Sequence, residues 1–287
     1  MNELKAWTCP HCVDEAKVLA TGGTDGITPL WYVASNNSHI IVSLAGTNTK
    51  RLDSINTNLQ FLSLVPLQEH FPNTLMSGVR IHSGYYQAFI LIQDAIMSAI
   101  KSEIDKTATK EIVVTGHSLG GAIGSILATY LLLQFPDKVT GRFFAPPRQG
   151  NQAWADYVDK LSKGRIQHMN NFNDIVPHLP PRALDYRHYG HEIYITSWGG
   201  EEYISCEGQE NRKCTGQFMR AEELIGSLVP HLDAIVHSGP YAGVMMGCVG
   251  DFQKVGDAGE EKPTKQGTTK KPQQSEEDKK KDDKKEA

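Results

Sequence analysis

An α/β sandwich, with a mixed but mostly parallel central sheet flanked by helices, is the fold class that the 287-residue sequence predicts. Three observations carry this expectation. Short runs of β-branched and aromatic residues alternate with stretches of 3.6-residue apolar periodicity, the strand–helix–strand order that builds parallel sheets through crossover helices. Hydrophobic residues make up 39% and charged residues 22%, enough apolar material for a large core. No apolar run approaches the ~18 residues that a membrane span needs, which argues against a transmembrane or fibrous chain.

Each element has its own signal. LWYVA at 30–34 and HIIVSLA at 39–45 read as two strands joined by the tight connection Ser35-Asn36-Asn37-Ser38. Leu52, Ile55 and Leu59 in the polar stretch that follows mark a short amphipathic helix. From Gly84 to about Lys106, Phe89, Ile92, Ile96, Ile100 and Ile104 recur every three or four residues and trace one face of a long helix. EIVVT at 111–115 is a buried strand, and Leu119 to Phe135 is a helix of small and apolar residues stopped by Pro136. VTGRFFA at 139–145, a helix at 151–162 and RIQHMN at 165–170 repeat the alternation. HEIYIT at 191–196 and EEYIS at 201–205 flank Ser197-Trp198-Gly199-Gly200 as an antiparallel hairpin.

Charge and cysteine content set the boundaries. Residues 261–287 hold nine of the 29 basic and seven of the 33 acidic residues, leaving 20 basic against 26 acidic in the rest. That acidic balance argues against nucleic acid as a partner. Residues 253–287 lack the apolar area to offset chain entropy and are expected to be a disordered, solvated spacer behind one folded domain at 1–252. Of the five cysteines, Cys9 and Cys12 form CPHC, Cys206 and Cys214 lie eight apart, and Cys248 stands alone. A redox-active Cys-x-x-Cys needs a preceding strand, and eight residues leave little room for one, so a small local disulfide loop is the better reading. With the Cys206 and Cys214 pair, it suggests an oxidising compartment and therefore a secreted protein. The sequon at Asn36 agrees weakly, while Met1 to Lys5 opens no apolar signal-peptide core.

The strongest chemical signal is GHSLGG at 116–121, between the strand EIVVT and a helix. A serine on so tight a strand-to-helix turn is held with Oγ projecting, and the turn needs small residues two before and two after it; Gly116 and Gly120 fill both places. The helix N-terminus behind Ser118 offers free N–H groups and partial positive charge where an oxyanion forms, the Leu119 N–H first among them. A serine hydroxyl is a poor nucleophile at neutral pH and needs a base, which in turn needs a carboxylate to set its tautomer. Candidates for the acid are Asp174, in a loop after the strand at 165–170, with Asp185 and Asp233 as alternatives. Candidates for the base are His178, His188, His191, His231 and His237, with His237 favoured by its late, Ser- and Gly-rich loop HSGPYAG. Spacing alone leaves both choices open.

Several segments together resemble the class 3, fungal-type lipases over most of residues 6–250. WTCPHC at 7–12 is similar to that family's early W-x-C-x-x-C loop, and IHSGYYQAF at 81–89 to its H-x-G-[FY] helix start. VVTGHSLGGA at 113–122 resembles its nucleophile elbow, PPRQGN at 146–151 its P-R-x-G-N segment, and NDIVPHLPP at 173–181 the stretch carrying the acid. HYGHEIYI at 188–195 resembles its H-x-G-x-E-x-[WY] strand, and His237 precedes a late cysteine, Cys248. The resemblance implies an α/β-hydrolase fold with Ser118 as nucleophile, Asp174 as orienting acid and His237 as general base. It implies a second oxyanion donor at Thr47, a lid over about 50–60 with Leu52, Ile55 and Leu59 as its apolar face, a structural His188, and a Cys206–Cys214 disulfide. The implied activity is hydrolysis of acylglycerol esters at a lipid–water interface through an acyl-enzyme, without metal or organic cofactor. A feruloyl or other soluble-ester esterase is the alternative on the same fold. A non-catalytic binding protein would show a broken triad or oxyanion hole, and neither is broken in this sequence.

Overall fold

In chain order the computed structural model runs β1 (Lys17–Gly22), β2 (Trp31–Ser35), β3 (His39–Leu44), β4 (Leu64–Pro66), β5 (Arg80–His82), α1 (Ser83–Ile104), β6 (Glu111–His117) and α2 (Leu119–Gln134). It continues with β7 (Val139–Phe144), α3 (Gln152–Ser162), β8 (Ile166–Asn171), β9 (Glu192–Ile195), β10 (Tyr203–Ser205) and α4 (Ala234–Ser238). The structure describes residues 16–24, 26–47, 63–66, 70–71, 78–106, 110–197, 200–218 and 234–246. These all belong to one unit, Met1–Gly247; the second, Cys248–Ala287, holds no described residue. Cys9, Cys12, the amphipathic stretch with Leu52, Ile55 and Leu59, His231, Asp233, Cys248 and the charged tail lie outside the described residues.

The main sheet has eight strands in the order β1, β2, β3, β6, β7, β8, β9, β10. Its middle is parallel, from β3 through β6, β7 and β8 to β9, while β1 and β2 at one end and β10 at the other pair antiparallel. The expected mixed, mostly parallel sheet is the sheet observed. The 36–38 connection between β2 and β3 is tied by Asn36, whose Oδ1 accepts from the N–H groups of Ser38 and His39 at 3.0 and 2.8 Å. β1 escaped the sequence reading because KVLATG carries only a short apolar run, and its residues are at most half-buried.

The core lies between this sheet and its helices. Ile40, Val42 and Leu44 on β3 and Ile112 and Val114 on β6 alternate inward at the two-residue period of a pleated strand. On α1, Phe89, Ile92, Ile96 and Ile100 are buried as their spacing predicts. α2 is buried on nearly every side, from Gly120 to Leu132, because it packs on β3, β6 and β7 and also against α1 and α3. Its all-apolar sequence is therefore what its position requires. Asn151, in the PPRQGN segment, caps α3 by accepting from the Trp154 N–H at 3.1 Å and also holds β5 through the Arg80 N–H at 3.0 Å.

The junction of β6 and α2 is the tightest point of the fold. A Cβ on Gly116 would strike the carbonyl of Gly120, and one on Gly120 would strike the carbonyl of Leu44 and lie 2.5 Å from that of Ala45. These neighbours are backbone and cannot turn aside. Gly120→Ala is therefore expected to cost at least ~2 kcal/mol and to lower Tm by ~5 °C or more. Gly26→Ala, whose Cβ meets only the Thr24 hydroxyl at 3.4 Å, should leave Tm within about a degree of wild type. Thermal unfolding of both variants checks this, and equal losses would contradict the backbone clash.

Candidate active site

At the end of β6 the chain turns into α2 through Ser118, whose φ of 54° and ψ of −127° lie in a region that residues with a side chain seldom occupy. The turn is over-determined by its surroundings. The Ser118 N–H donates to the Phe144 carbonyl at 2.9 Å, and helix bonding opens with the Ala122 N–H to the Ser118 carbonyl at 3.0 Å. The N–H groups of Leu119, Gly120 and Gly121 therefore have no acceptor one turn back and face the end of the helix. Ser118 is buried, and its Oγ has no hydrogen-bond partner among the described residues.

Asp174 and His237 meet beside this turn although 63 residues separate them. His237 Nδ1 lies 2.8 Å from Asp174 Oδ2, and both residues are almost fully buried. Against a carboxylate Nδ1 is the donor, so in the neutral ring Nε2 keeps its lone pair. Nε2 is buried and has no hydrogen-bond partner among the described residues. The other carboxylate oxygen, Oδ1, accepts from the Val176 N–H at 2.9 Å, which fixes the plane of the acid. Three competing candidates among the described residues make other contacts or face solvent. Asp185 pairs with the half-exposed Arg80 at 2.5 Å, His191 is exposed, and His188 stacks on His168 with ring centroids 4.5 Å apart. Gly46 runs against the elbow, its would-be Cβ 3.0 Å from the His117 carbonyl and 3.2 Å from Ser118 Cβ. This brings Thr47, whose buried Oγ1 has no partner among the described residues, to the neighbourhood of Ser118. A cavity of about 280 Å³, lined by Leu119, Ile123, Tyr85, Ala88, His82 and Ile27, opens next to the start of α2.

Sequence reasoning passed over the residues that support these groups. Arg148 is fully buried and forks onto Glu210, Nε to Oε1 at 2.8 Å and Nη2 to Oε2 at 2.9 Å, while Nη1 donates to the carbonyls of His178 and Pro180. It thereby anchors the loop that carries Asp174. The sign of this role was the arginine in PPRQGN; Glu210 offered none. Glu210 sits in the loop closed by the Cys206–Cys214 disulfide, with Cα atoms 6.4 Å apart, so the pairing that the resemblance implied is present. Glu192 lies near both sulfurs, but these are bonded to each other and Glu192 accepts from Asn170 and Thr215, so the group offers no metal site.

Burial sets the ionisation of several groups here. It lowers His82 and His117 to about 4, the neighbouring His237 adding to the effect at His117. It takes His188 well below 6.5, with help from His168. At Glu210 burial pushes upward, but the hydrogen bonds and charge of Arg148 outweigh it and bring the carboxyl down to about 2. His82 Nδ1 accepts the Gly84 and Tyr85 N–H groups at 3.1 and 3.3 Å and so caps α1, a role that a protonated Nδ1 cannot fill.

Comparison with known proteins finds lipases. Residues 41–184 match the family model described as Lipase (class 3). The chain is 27% identical over 239 residues to a secreted mono- and diacylglycerol lipase of Malassezia globosa, covering 78% of this chain and 75% of that one. It is 27% identical over 238 residues to a lipase of Rhizomucor miehei, covering 80% of this chain and 61% of the relative. A solved structure of the Rhizomucor miehei triacylglyceride lipase superposes with a TM-score of 0.67 at 26% identity, covering 84% of this chain and 86% of that one.

The three buried histidines make acid stability a direct test. Unfolded, each binds a proton near pH 6.5; folded, His82 and His117 bind one only near pH 4, and burial holds His188 well below 6.5. Their contribution is complete above pH 6.5 and is lost as pH falls toward 4, with a slope approaching ~1.4 kcal/mol per pH unit for each histidine. Glu210 extends the loss below pH 4.5. Denaturant unfolding between pH 7.5 and 4 should show this decline, and a flat profile would contradict it.

Proposed function

The chain belongs to the class 3 lipase family, and we propose that it hydrolyses acylglycerol esters with Ser118 as nucleophile, His237 as general base and Asp174 as orienting acid. The observation that carries this reading is the 2.8 Å bond from His237 Nδ1 to Asp174, which leaves Nε2 free to take a proton in the same buried neighbourhood as the unpartnered Ser118 hydroxyl. Ser118 Oγ attacks the ester carbonyl as Nε2 removes its proton. The tetrahedral oxyanion is met by the N–H groups of Leu119 and Thr47, with the Thr47 hydroxyl as a third donor. The imidazolium, steadied by Asp174, gives its proton to the departing alcohol, and water, activated by the same imidazole, releases the acid and frees Ser118.

The apolar cavity beside Leu119 suits an acyl chain, and relatives named as mono-, di- and triacylglycerol lipases support glycerides as substrate. Secreted relatives and the Cys206–Cys214 disulfide support an extracellular site of action. We assign residues 50–60, with Leu52, Ile55 and Leu59, to a lid that turns toward lipid at an interface, residues 1–252 to the catalytic domain and 253–287 to a disordered tail.

Ser118→Ala and His237→Ala should each lose at least ~10³-fold in kcat on tributyrin, whereas His231→Ala keeps most of its turnover. The converse between the two histidines would overturn the assignment of the base. Rates followed across the solubility limit of a glyceride should jump on emulsion. A smooth hyperbola with preference for short soluble esters would place the enzyme with soluble-ester esterases instead.

A further inference from the structure

We infer that His117 is a positioning residue for the base, its Nε2–H holding the backbone carbonyl of His237 and so tying the histidine segment to the strand that carries the nucleophile; this rests on the roles proposed for Ser118 and His237. His117 is the last residue of β6 and immediately precedes Ser118. Its Nε2 lies 2.8 Å from the His237 carbonyl oxygen. A carbonyl only accepts, so Nε2 bears the proton and Nδ1, which faces Gly46, is bare in the neutral ring. The two imidazoles lie side by side, with centroids 4.5 Å apart and planes inclined by 39°.

Besides Asp174, which holds the His237 ring, side chains from three further places in the described residues hold backbone carbonyls of α4. Asn171 Nδ2 donates to the Val236 carbonyl at 2.8 Å, Tyr241 Oη donates to the His237 carbonyl at 3.0 Å, and His117 donates to that same oxygen. Asn171 belongs to β8 and Tyr241 to the segment after α4, so of the three His117 alone grows from the nucleophile's own strand. That matters because Ser118 Oγ and His237 Nε2 make no hydrogen bond with each other. The distance between nucleophile and base is held through the rigid peptide joining His117 to Ser118 and through the bond from His117 to His237. Burial keeps the His117 ring neutral at neutral pH, with His237, Asp174 and Tyr241 around it. A neutral neighbour adds no repulsion when His237 takes up the serine proton.

The test compares full-length wild type, His237→Ala, His117→Gln and His117→Asn on p-nitrophenyl butyrate below its solubility limit. A glutamine amide reaches where Nε2 stands, and an asparagine amide falls short of it. His117→Asn should lose about 10- to 100-fold in kcat with KM within about twofold, and His117→Gln should recover to within about fivefold of wild type. The low-field proton signal of the His237 Nδ1–H bond to Asp174 should stay sharp in the glutamine variant and broaden in the asparagine variant, at equal Tm. An active wild type with an unimpaired His117→Asn, or with both variants equally impaired, overturns this inference alone. A fully active His237→Ala overturns the assignment of the base, and a wild type inert both on this ester and on emulsified tributyrin overturns the hydrolase assignment; either takes this inference with it. Should His117→Asn fail to unfold cooperatively, His117→Gln decides: loss of the low-field signal with the fold intact overturns the inference, and its retention with near-wild-type kcat supports it.

Discussion

The close backbone crossing at the end of β6 is the constraint on which the rest of the structure depends. Gly116 and Gly120 let the first turn of α2 press onto the strand and onto the carbonyls of Leu44 and Ala45, and Gly46 lets the exit of the neighbouring strand β3 lie against Ser118. Only at this separation does one small region hold the Ser118 turn, the first N–H groups of a helix and the Thr47 backbone. The cost is a strained Ser118, with φ at 54°, and it is borne by the parallel strands β3, β6 and β7 that clamp the turn on both sides.

From that crossing outward, the site is built by elements that close over long sequence distances. Asp174 hangs from the end of β8 on a loop whose carbonyls Arg148 gathers, and Arg148 is in turn neutralised by Glu210 from the disulfide loop. A buried guanidinium without such a partner would be severely destabilising, so the pair is better seen as a fixed bracket than as a source of net stability. His237 arrives from the far end of the chain and is received by Asn171, His117 and Tyr241. The buried imidazoles and the Arg148–Glu210 pair make the same architecture sensitive to acid, because each gives up its native state of charge only by loosening what it holds.

Most of the fold was legible from periodicity. The helix face running from Phe89 to Ile100 and the strands at 39–44, 111–117 and 139–144 appear where apolar spacing placed them, since burial against a sheet writes its period into sequence. β1 was missed because an edge strand, little buried, has no such obligation. At the site, the glycines around Ser118 were readable because a clash excludes every other residue there. The acid and base were not settled by spacing: Asp185 looks as suitable in sequence as Asp174, the late Ser- and Gly-rich loop only favours His237 over the other histidines, and the folded chain sends Asp185 to Arg80 and His188 to His168. Glu210 was invisible because a bracket between distant loops leaves no local pattern.

Reaction with an active-site-directed alkyl phosphonate, located by mass spectrometry, tests the central claim most directly, since the reagent is attacked only by a hydroxyl that a neighbouring base has activated. The account predicts one adduct per chain, on Ser118, formed at least ~10²-fold more slowly when His237 is replaced by alanine. An enzyme that turns over ester yet takes the adduct on another residue, or labels Ser118 equally fast without His237, would contradict it.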